Sequence, residues 1–342
     1  MIVSYRTRRR LRRLGQTLLI AAAVALVALL CWLIWVGRYI VYTPQGARLD
    51  FSIDPTFPAG EPAEPPAPGQ TVPIFYDEQE EEAPLPNYDQ TAIAGYYVDF
   101  EDLCENVAAV KERLRQLPSG TAVLLDVKNT KGYFHYSTAV GQTTSDKVDI
   151  AAMDELISWL AGSQLYAIAR LPAFRDWEFG LNNVPCGLPK KDGNGSLWMD
   201  DTNCYWLDPT SEGTLNYLVR ITAELRGLGF DEVVFEDFRF PNTEKVEFEG
   251  DKTQALADAA ATLVSACATD RFCVSFISKE PSFALPEGRA RLYLKDVAAA
   301  DVHSVIAQTN TKDPAIHVLF FATVNDTRYD EYCVLRPLDI AR

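Results

Sequence analysis

The chain has 342 residues, room for one large domain or two ordinary ones, and its 47 Asp and Glu against 32 Lys and Arg give a net charge of −15. Six arginines (Arg6, Arg8, Arg9, Arg10, Arg12 and Arg13) fall in the first thirteen residues, so the remainder is more acidic still. That balance excludes nucleic-acid binding by charge, which needs clustered Lys and Arg to meet phosphates, and favours a soluble acidic surface.

An uncharged apolar run follows from Leu18 to Val36, close to the roughly 20 residues a helix needs to cross a bilayer core. The arginines before it predict a basic cytoplasmic tail over 1–13, a transmembrane signal-anchor helix over 14–40 and an extracytoplasmic remainder. A cleaved signal peptide has a shorter apolar region, about 7–15 residues, ending at small residues. This run closes instead on Cys31-Trp32-Leu33-Ile34-Trp35-Val36. Residues 41–90 then read as a disordered acidic stalk. Nine prolines fall between Pro55 and Pro86, beside the run Asp77-Glu78-Gln79-Glu80-Glu81-Glu82, and missing backbone donors and like charges both oppose packing.

From Thr91 the pattern changes to short apolar runs alternating with helical periods. Strands are predicted at Ile93–Val98, Thr121–Val127, Gln164–Leu171, Glu232–Glu236, Phe272–Ile277, Arg291–Leu294, Ile316–Phe321 and Tyr332–Leu335. Helical spacing appears from Leu103 to Leu117, from Ile150 to Leu160, from Leu215 to Leu225 before Gly227 and Gly229, and from Thr253 to Ala268. Strands alternating with helices imply a parallel sheet, and eight of them in roughly 250 residues match a (β/α)8 TIM-type barrel over 91–342. A doubly wound sheet is the competing topology, but it would want a glycine-rich phosphate turn, and no GxGxxG or GxxxxGK[ST] occurs.

In such a barrel the site lies at the C-terminal ends of the strands. Those ends carry Asp126, Lys128, Arg170, Glu236, Asp237, Arg239, Lys295 and Asp296. Asp126 and Lys128, two apart on an extended chain, share a face, whereas Glu236 and Asp237 point to opposite faces. Trp177, Trp198 and Trp206 fall in the long loop after the third strand. Their rings suit either the faces of sugars or a small core packing the loop on the barrel. Asp208 is placed to cap the helix that follows. His135, His303 and His317 lack metal-ligand spacing, no GxSxG elbow occurs, and no metal or cofactor is expected. Cys104, Cys186, Cys204, Cys267, Cys273 and Cys333 are either buried thiols or disulfide partners. Cys186 and Cys204, flanking one polar loop, are the first pair a disulfide would join.

Three stretches, "AVLLDVKNTKGYFHYST", "LYAIARLPAFRDWEFG" with "GSLWMDDTNCYWLDPT", and "LGFDEVVFEDFRFP", resemble a bacterial family of glycoside hydrolase-like domains, domain of unknown function 4015. The resemblance covers about residues 95–241 and implies a (β/α)8 barrel related to sugar hydrolases. The family's strand ending is Phe-Asp-Tyr-Val-Arg-Phe-Pro; here Glu236 stands at the Asp and Asp237 at the Tyr. Glycosidic cleavage needs two carboxyl groups flanking the bond. The reading is therefore a membrane-anchored glycoside hydrolase of an envelope or extracellular polysaccharide. Glu236 and Asp126 are its catalytic candidates, and Lys128, Arg170, Trp177, Trp198, Trp206, Asp237 and Arg239 its substrate-binding candidates. A non-catalytic carbohydrate-binding barrel at the cell wall is the alternative.

Overall fold

The computed structural model describes residues 90–339 apart from 142, 192 and 194, together with Trp32 and two short strands, Ile40–Thr43 and Gly46–Leu49, which pair antiparallel. The expected cytoplasmic tail, most of the expected anchor helix and most of the stalk lie outside the described residues. Among the described residues no helix is long and apolar enough to cross a membrane.

Eight strands follow in chain order: β1 (Ala94–Tyr97), β2 (Ala122–Asp126), β3 (Tyr166–Pro172), β4 (Glu232–Glu236), β5 (Cys273–Ser278), β6 (Leu292–Leu294), β7 (Val318–Phe321) and β8 (Cys333–Pro337). Each pairs in parallel with the next, and β8 pairs with β1, so the sheet closes into a barrel. Every strand expected from the sequence is present. The principal helices are α1 (Phe100–Leu114), α2 (Ile150–Ala161), the short α3 (Trp177–Asn182), α4 (Glu212–Gly227) and α5 (Lys252–Cys267). Two short ones, α6 (Val302–Ile306) and α7 (Pro314–His317), complete the set among the described residues. The β5–β6 and β7–β8 connections are irregular, so the helical ring is incomplete on that side.

Local chemistry fixes these elements. Asp149 caps α2 by accepting from the Ala152 N–H, and Asp251 caps α5 by accepting from Thr253 and Gln254. Helix α1 is kinked at Asn106, whose side chain accepts from the Ala109 N–H and so caps the second segment. Leu103, Val107, Val110 and Leu114 keep one buried stripe across the kink. Gly229, at φ +94°, ends α4 in the left-handed conformation. Gly95 is set by closeness: a Cβ there would lie 1.9 Å from the Ala122 carbonyl oxygen of the neighbouring strand.

Strand alternation sends Leu124, Ile168, Val234, Leu319 and Leu335 into the barrel, while Val123, Ala169, Val233 and Phe276 join the layer under the helices. The N-terminal end of the barrel is closed by a polar plug. Glu232, fully buried, pairs with Arg291 and accepts from Tyr166 (2.8 Å), Ser275 (2.5 Å) and Tyr293 (2.9 Å). The guanidinium also donates to the carbonyls of Thr91 (2.7 Å) and Ile316 (3.1 Å).

Candidate active site

Strand register assembles the C-terminal mouth. Asp126, the last residue of β2, sits beside Arg170 of β3, and Pro172 of β3 sits beside Glu236, the last residue of β4. Arg170 grips both oxygens of Asp126, Nε to Oδ1 at 2.5 Å and Nη2 to Oδ2 at 2.7 Å, in the fork geometry that suits arginine. Its Nε also lies 3.7 Å from Glu236 Oε2. Lys295, just past β6 and two strands round the barrel from β4, pairs with Glu236 Oε1. Burial alone would lower the Arg170 pKa; the bonds to Asp126 and the charges of Asp126, Glu236 and Asp99 outweigh it and hold the guanidinium firmly charged.

Beside this network opens a cavity of about 530 Å³, lined by Tyr97, Asp99, Arg170, Lys295, Asp296, Phe321, Thr323, Val324 and Tyr329 among others. Phe321, at the end of β7, lies beneath both cations: Arg170 Cζ is 6.0 Å and Lys295 Nζ 5.3 Å from its ring centroid. Tyr97 meets the same ring edge-on at 5.6 Å. A flat apolar surface bordered by charged groups is the composition a sugar ring requires. Glu236, its side chain 36% exposed, is not among the lining residues but pairs with two that are, Arg170 and Lys295. The two distances from Arg170 Nε bound the separation of Asp126 Oδ1 and Glu236 Oε2 below the roughly 6.5–9.5 Å of an inverting carboxyl pair.

The other expected residues lie elsewhere. Lys128 is not in the mouth: it is buried outside the barrel against Asp176, 2.6 Å away with both side chains 1% exposed, and near the rings of Phe134 and Tyr217. Alternation fails there because the chain leaves the sheet after Asp126 and Lys128 bridges to Phe134. Asp237 adopts φ +50° and turns to Arg239 (3.2 Å) and Arg175 (3.7 Å). Trp206 is buried in a satellite core with Leu188, Phe240, Val246 and Ala255, with the Arg239 guanidinium 4.7 Å from its ring centroid. Trp198 packs on that core, and the half-buried Trp177 opens α3. Asp208 does not cap α4; it accepts from Thr210 in the preceding turn, and Ser211 holds the N-cap position. Cys186 and Cys204 are not bonded to each other, and Cys204 is buried with its Sγ 3.3 Å from the Thr130 carbonyl oxygen. Tyr97, Asp99, Phe321, Thr323, Val324 and Tyr329 are among the lining residues that no sequence pattern singles out. Lys295 and Asp296 stood in its strand-end inventory without a role.

Asp200 organises the tryptophan loop. Burial opposes its charged form, but bonds from Cys204, Thr202, Trp206 and Arg175 outweigh it and bring its pKa down to about 2. Trp206→Phe replaces the buried indole by a smaller phenyl ring and deletes the 3.1 Å Nε1–H bond to Asp200. It is expected to cost at least about 1.5–3 kcal/mol in urea unfolding, the value of a hydrogen bond to a charged group, with the lost packing adding to it. Glycan affinity per folded molecule should stay unchanged; a loss of affinity without a loss of stability would return Trp206 to the site.

His135 supports the same end of the barrel. Its Nδ1 lies 2.9 Å from the Asp126 carbonyl oxygen, its ring stacks on Phe100 at 4.6 Å, and its buried Nε2 has no partner among the described residues. Burial pushes its pKa down, against the raising effect of the Asp126 carbonyl. The unfolded chain therefore binds a proton that the folded chain refuses. The domain is expected to lose stability as pH falls below the unfolded value, about 6.5, and to stop losing it below the folded one. Melting temperatures from pH 8 to 5 should show this slope for the parent and a flatter one for His135→Gln; equal slopes would remove His135 as its cause.

A closed parallel (β/α)8 barrel with a carboxylate, cations and an aromatic floor at its C-terminal mouth has its candidate site where barrel enzymes carry theirs. The chain belongs to the family described as "Putative glycosyl hydrolase domain", whose profile matches residues 106–311. No match is found among curated proteins. Solved glycoside hydrolases share the fold. An α-galactosidase from Lactobacillus brevis is similar with a TM-score of 0.51 at 11% identity, over 75% of this chain and 39% of that one. A family GH36 α-galactosidase from Geobacillus stearothermophilus gives 0.50 at 13% identity, over 75% and 40%. The chain spans about two fifths of the length of these enzymes. A hypothetical protein from Ruminiclostridium thermocellum matches at 22% identity with a TM-score of 0.45, over 53% of this chain and 96% of that one.

Proposed function

We propose that the domain hydrolyses glycosidic bonds of an envelope or extracellular polysaccharide, with Glu236 as the working carboxylate. The observation that carries this is the position of Glu236: it ends β4, stays partly exposed at the mouth, and is paired with Arg170 and Lys295, two of the residues that line a cavity floored by Phe321. Its ion pairs with Lys295 and Arg170 are made by the carboxylate form, which suits attack on an anomeric carbon or removal of a proton from water. Asp126, held on both oxygens, acts as a positioning residue that orients Arg170 against Glu236. Trp198 and Trp177 are left as peripheral candidates for a longer glycan. The chain is tethered to the cell membrane by the run Leu18–Val36, with its N-terminus in the cytoplasm. The long uncharged run after the arginine cluster supports that tether.

The engagement of Asp126 on both oxygens favours a second reading, a non-catalytic carbohydrate-binding barrel, unless another carboxyl group supplies the proton. A glycan array scored for both binding and cleavage separates the two. Bound glycans that are shortened support hydrolysis; bound glycans that stay intact support the binding module.

A further inference from the structure

We propose that Asp99 is the proton donor of this site, delivering its proton to the glycosidic oxygen while Glu236 serves the anomeric carbon. The inference rests on the glycosidase reading above and supplies the second carboxyl group that reading needs.

Three carboxylates around the mouth are already engaged. Asp126 is gripped by Arg170, Glu236 is paired with Lys295 and Arg170, and Asp237 turns away to Arg239 and Arg175. Asp99 differs. It follows β1 and holds the N-cap position of α1, where its backbone carbonyl accepts from Asp102 (3.1 Å) and Leu103 (3.4 Å). An N-cap aspartate ordinarily also spends its side chain on the helix, accepting from one of the first free N–H groups. Here the side chain makes no capping bond and lines the cavity with Tyr97 and Arg170. A carboxyl group without its customary capping bond, lining the cavity, is placed to meet a ligand there.

The surroundings make Asp99 easier to protonate than an ordinary aspartate. Asp99 is exposed to solvent, yet the protein packed beside it raises its pKa, the negative charges of Asp102, Glu101 and Asp126 raise it further, and Arg170 pulls the other way. Glu236 is paired with two cations, whereas Asp99 feels three carboxylates against one guanidinium. Two carboxyl groups in opposite environments divide naturally into base or nucleophile and acid. A sugar filling the cavity removes water from Asp99 and strengthens the contrast. In the step itself the Oδ–H proton of Asp99 passes to the glycosidic oxygen. The bond between that oxygen and the anomeric carbon breaks, its electron pair leaving with the oxygen. The carbon takes its new bond from Glu236, or from a water that gives its proton to Glu236.

Leaving-group dependence tests this on the full-length protein. A panel of 4-nitrophenyl glycosides selects the sugar, and phenyl and 2,4-dinitrophenyl glycosides of that sugar are then compared. Dinitrophenolate departs without a proton, phenolate does not. Asp99→Asn, which keeps the shape, is expected to lower kcat/KM on the phenyl glycoside by about 10²–10⁴-fold and to leave the dinitrophenyl glycoside within about tenfold of the parent. The alkaline limb of the pH profile should vanish with it. A structural role would depress both substrates alike, and that outcome overturns the assignment. So does leaving-group dependence appearing in Asp296→Asn, the other cavity-lining carboxylate, and not in Asp99→Asn. If Glu236→Gln is inactive while Asp99→Asn equals the parent, the glycosidase reading stands and the proton donor is elsewhere. If the parent turns over no glycoside of the panel, both fall.

Discussion

Glu232→Ala is expected to lower the unfolding free energy by about 3–5 kcal/mol, the cost of stranding one member of a buried ion pair. For a domain of this size that is a fall in Tm of roughly 6–20 °C. The effect is large because the carboxylate is fully buried and satisfies four side chains at once, those of Arg291, Tyr166, Ser275 and Tyr293. Its loss leaves a guanidinium and three hydroxyls in the barrel without their acceptor. Arg291→Met should be costly for the mirror reason. The double variant should cost less than the two single losses added, because neither charge is then left unpaired. Urea unfolding with an unchanged m-value measures all three. A loss under about 1 kcal/mol for Glu232→Ala, the scale of an exposed pair, would mean that water reaches the plug.

Glu236→Gln is expected to remove turnover by about 10²–10⁴-fold or more while sparing folding and ligand binding. The amide keeps the shape and can still meet Lys295 and Arg170 as an acceptor, but it neither attacks carbon nor takes a proton. Glu236 is partly exposed, so its ion pairs contribute little to stability, and Tm should move by no more than a few degrees. The contrast with Glu232, four residues earlier on the same strand, is the sharpest statement of the barrel's polarity. The carboxylate at the N-terminal end of β4 holds the fold together, and the one at its C-terminal end pairs with two cations that line the cavity. Parent turnover in Glu236→Gln would shift attention to Asp99 and Asp296.

The barrel was legible because each strand is a short, nearly continuous apolar run, as strands covered on both sides must be. The (β/α)8 topology follows from eight such runs, even though two connections carry no helix among the described residues. Residues held by strand geometry were legible with it: Asp126, Arg170 and Glu236 meet where β2, β3 and β4 end. Legibility stopped where the chain left the sheet. Lys128 obeys the alternation rule in sequence and breaks it in space, because its strand has already ended. Trp206 was ambiguous since one ring serves equally well as a sugar platform or as the centre of a loop's own core; what decides it is Asp200, Leu188 and Phe240 around it. Asp99 was hidden because an aspartate before a helix reads as a cap, and only its side-chain direction distinguishes a cap from a site residue.

Release of new reducing ends from the polysaccharides that the glycan array identifies as bound, followed over time with the parent protein and Glu236→Gln side by side, tests the central claim most directly. The account predicts steady release by the parent and release at least about a hundredfold slower by Glu236→Gln at equal occupancy of the glycan. Tight binding with no release by the parent would contradict it and leave a barrel that holds polysaccharide without cutting it.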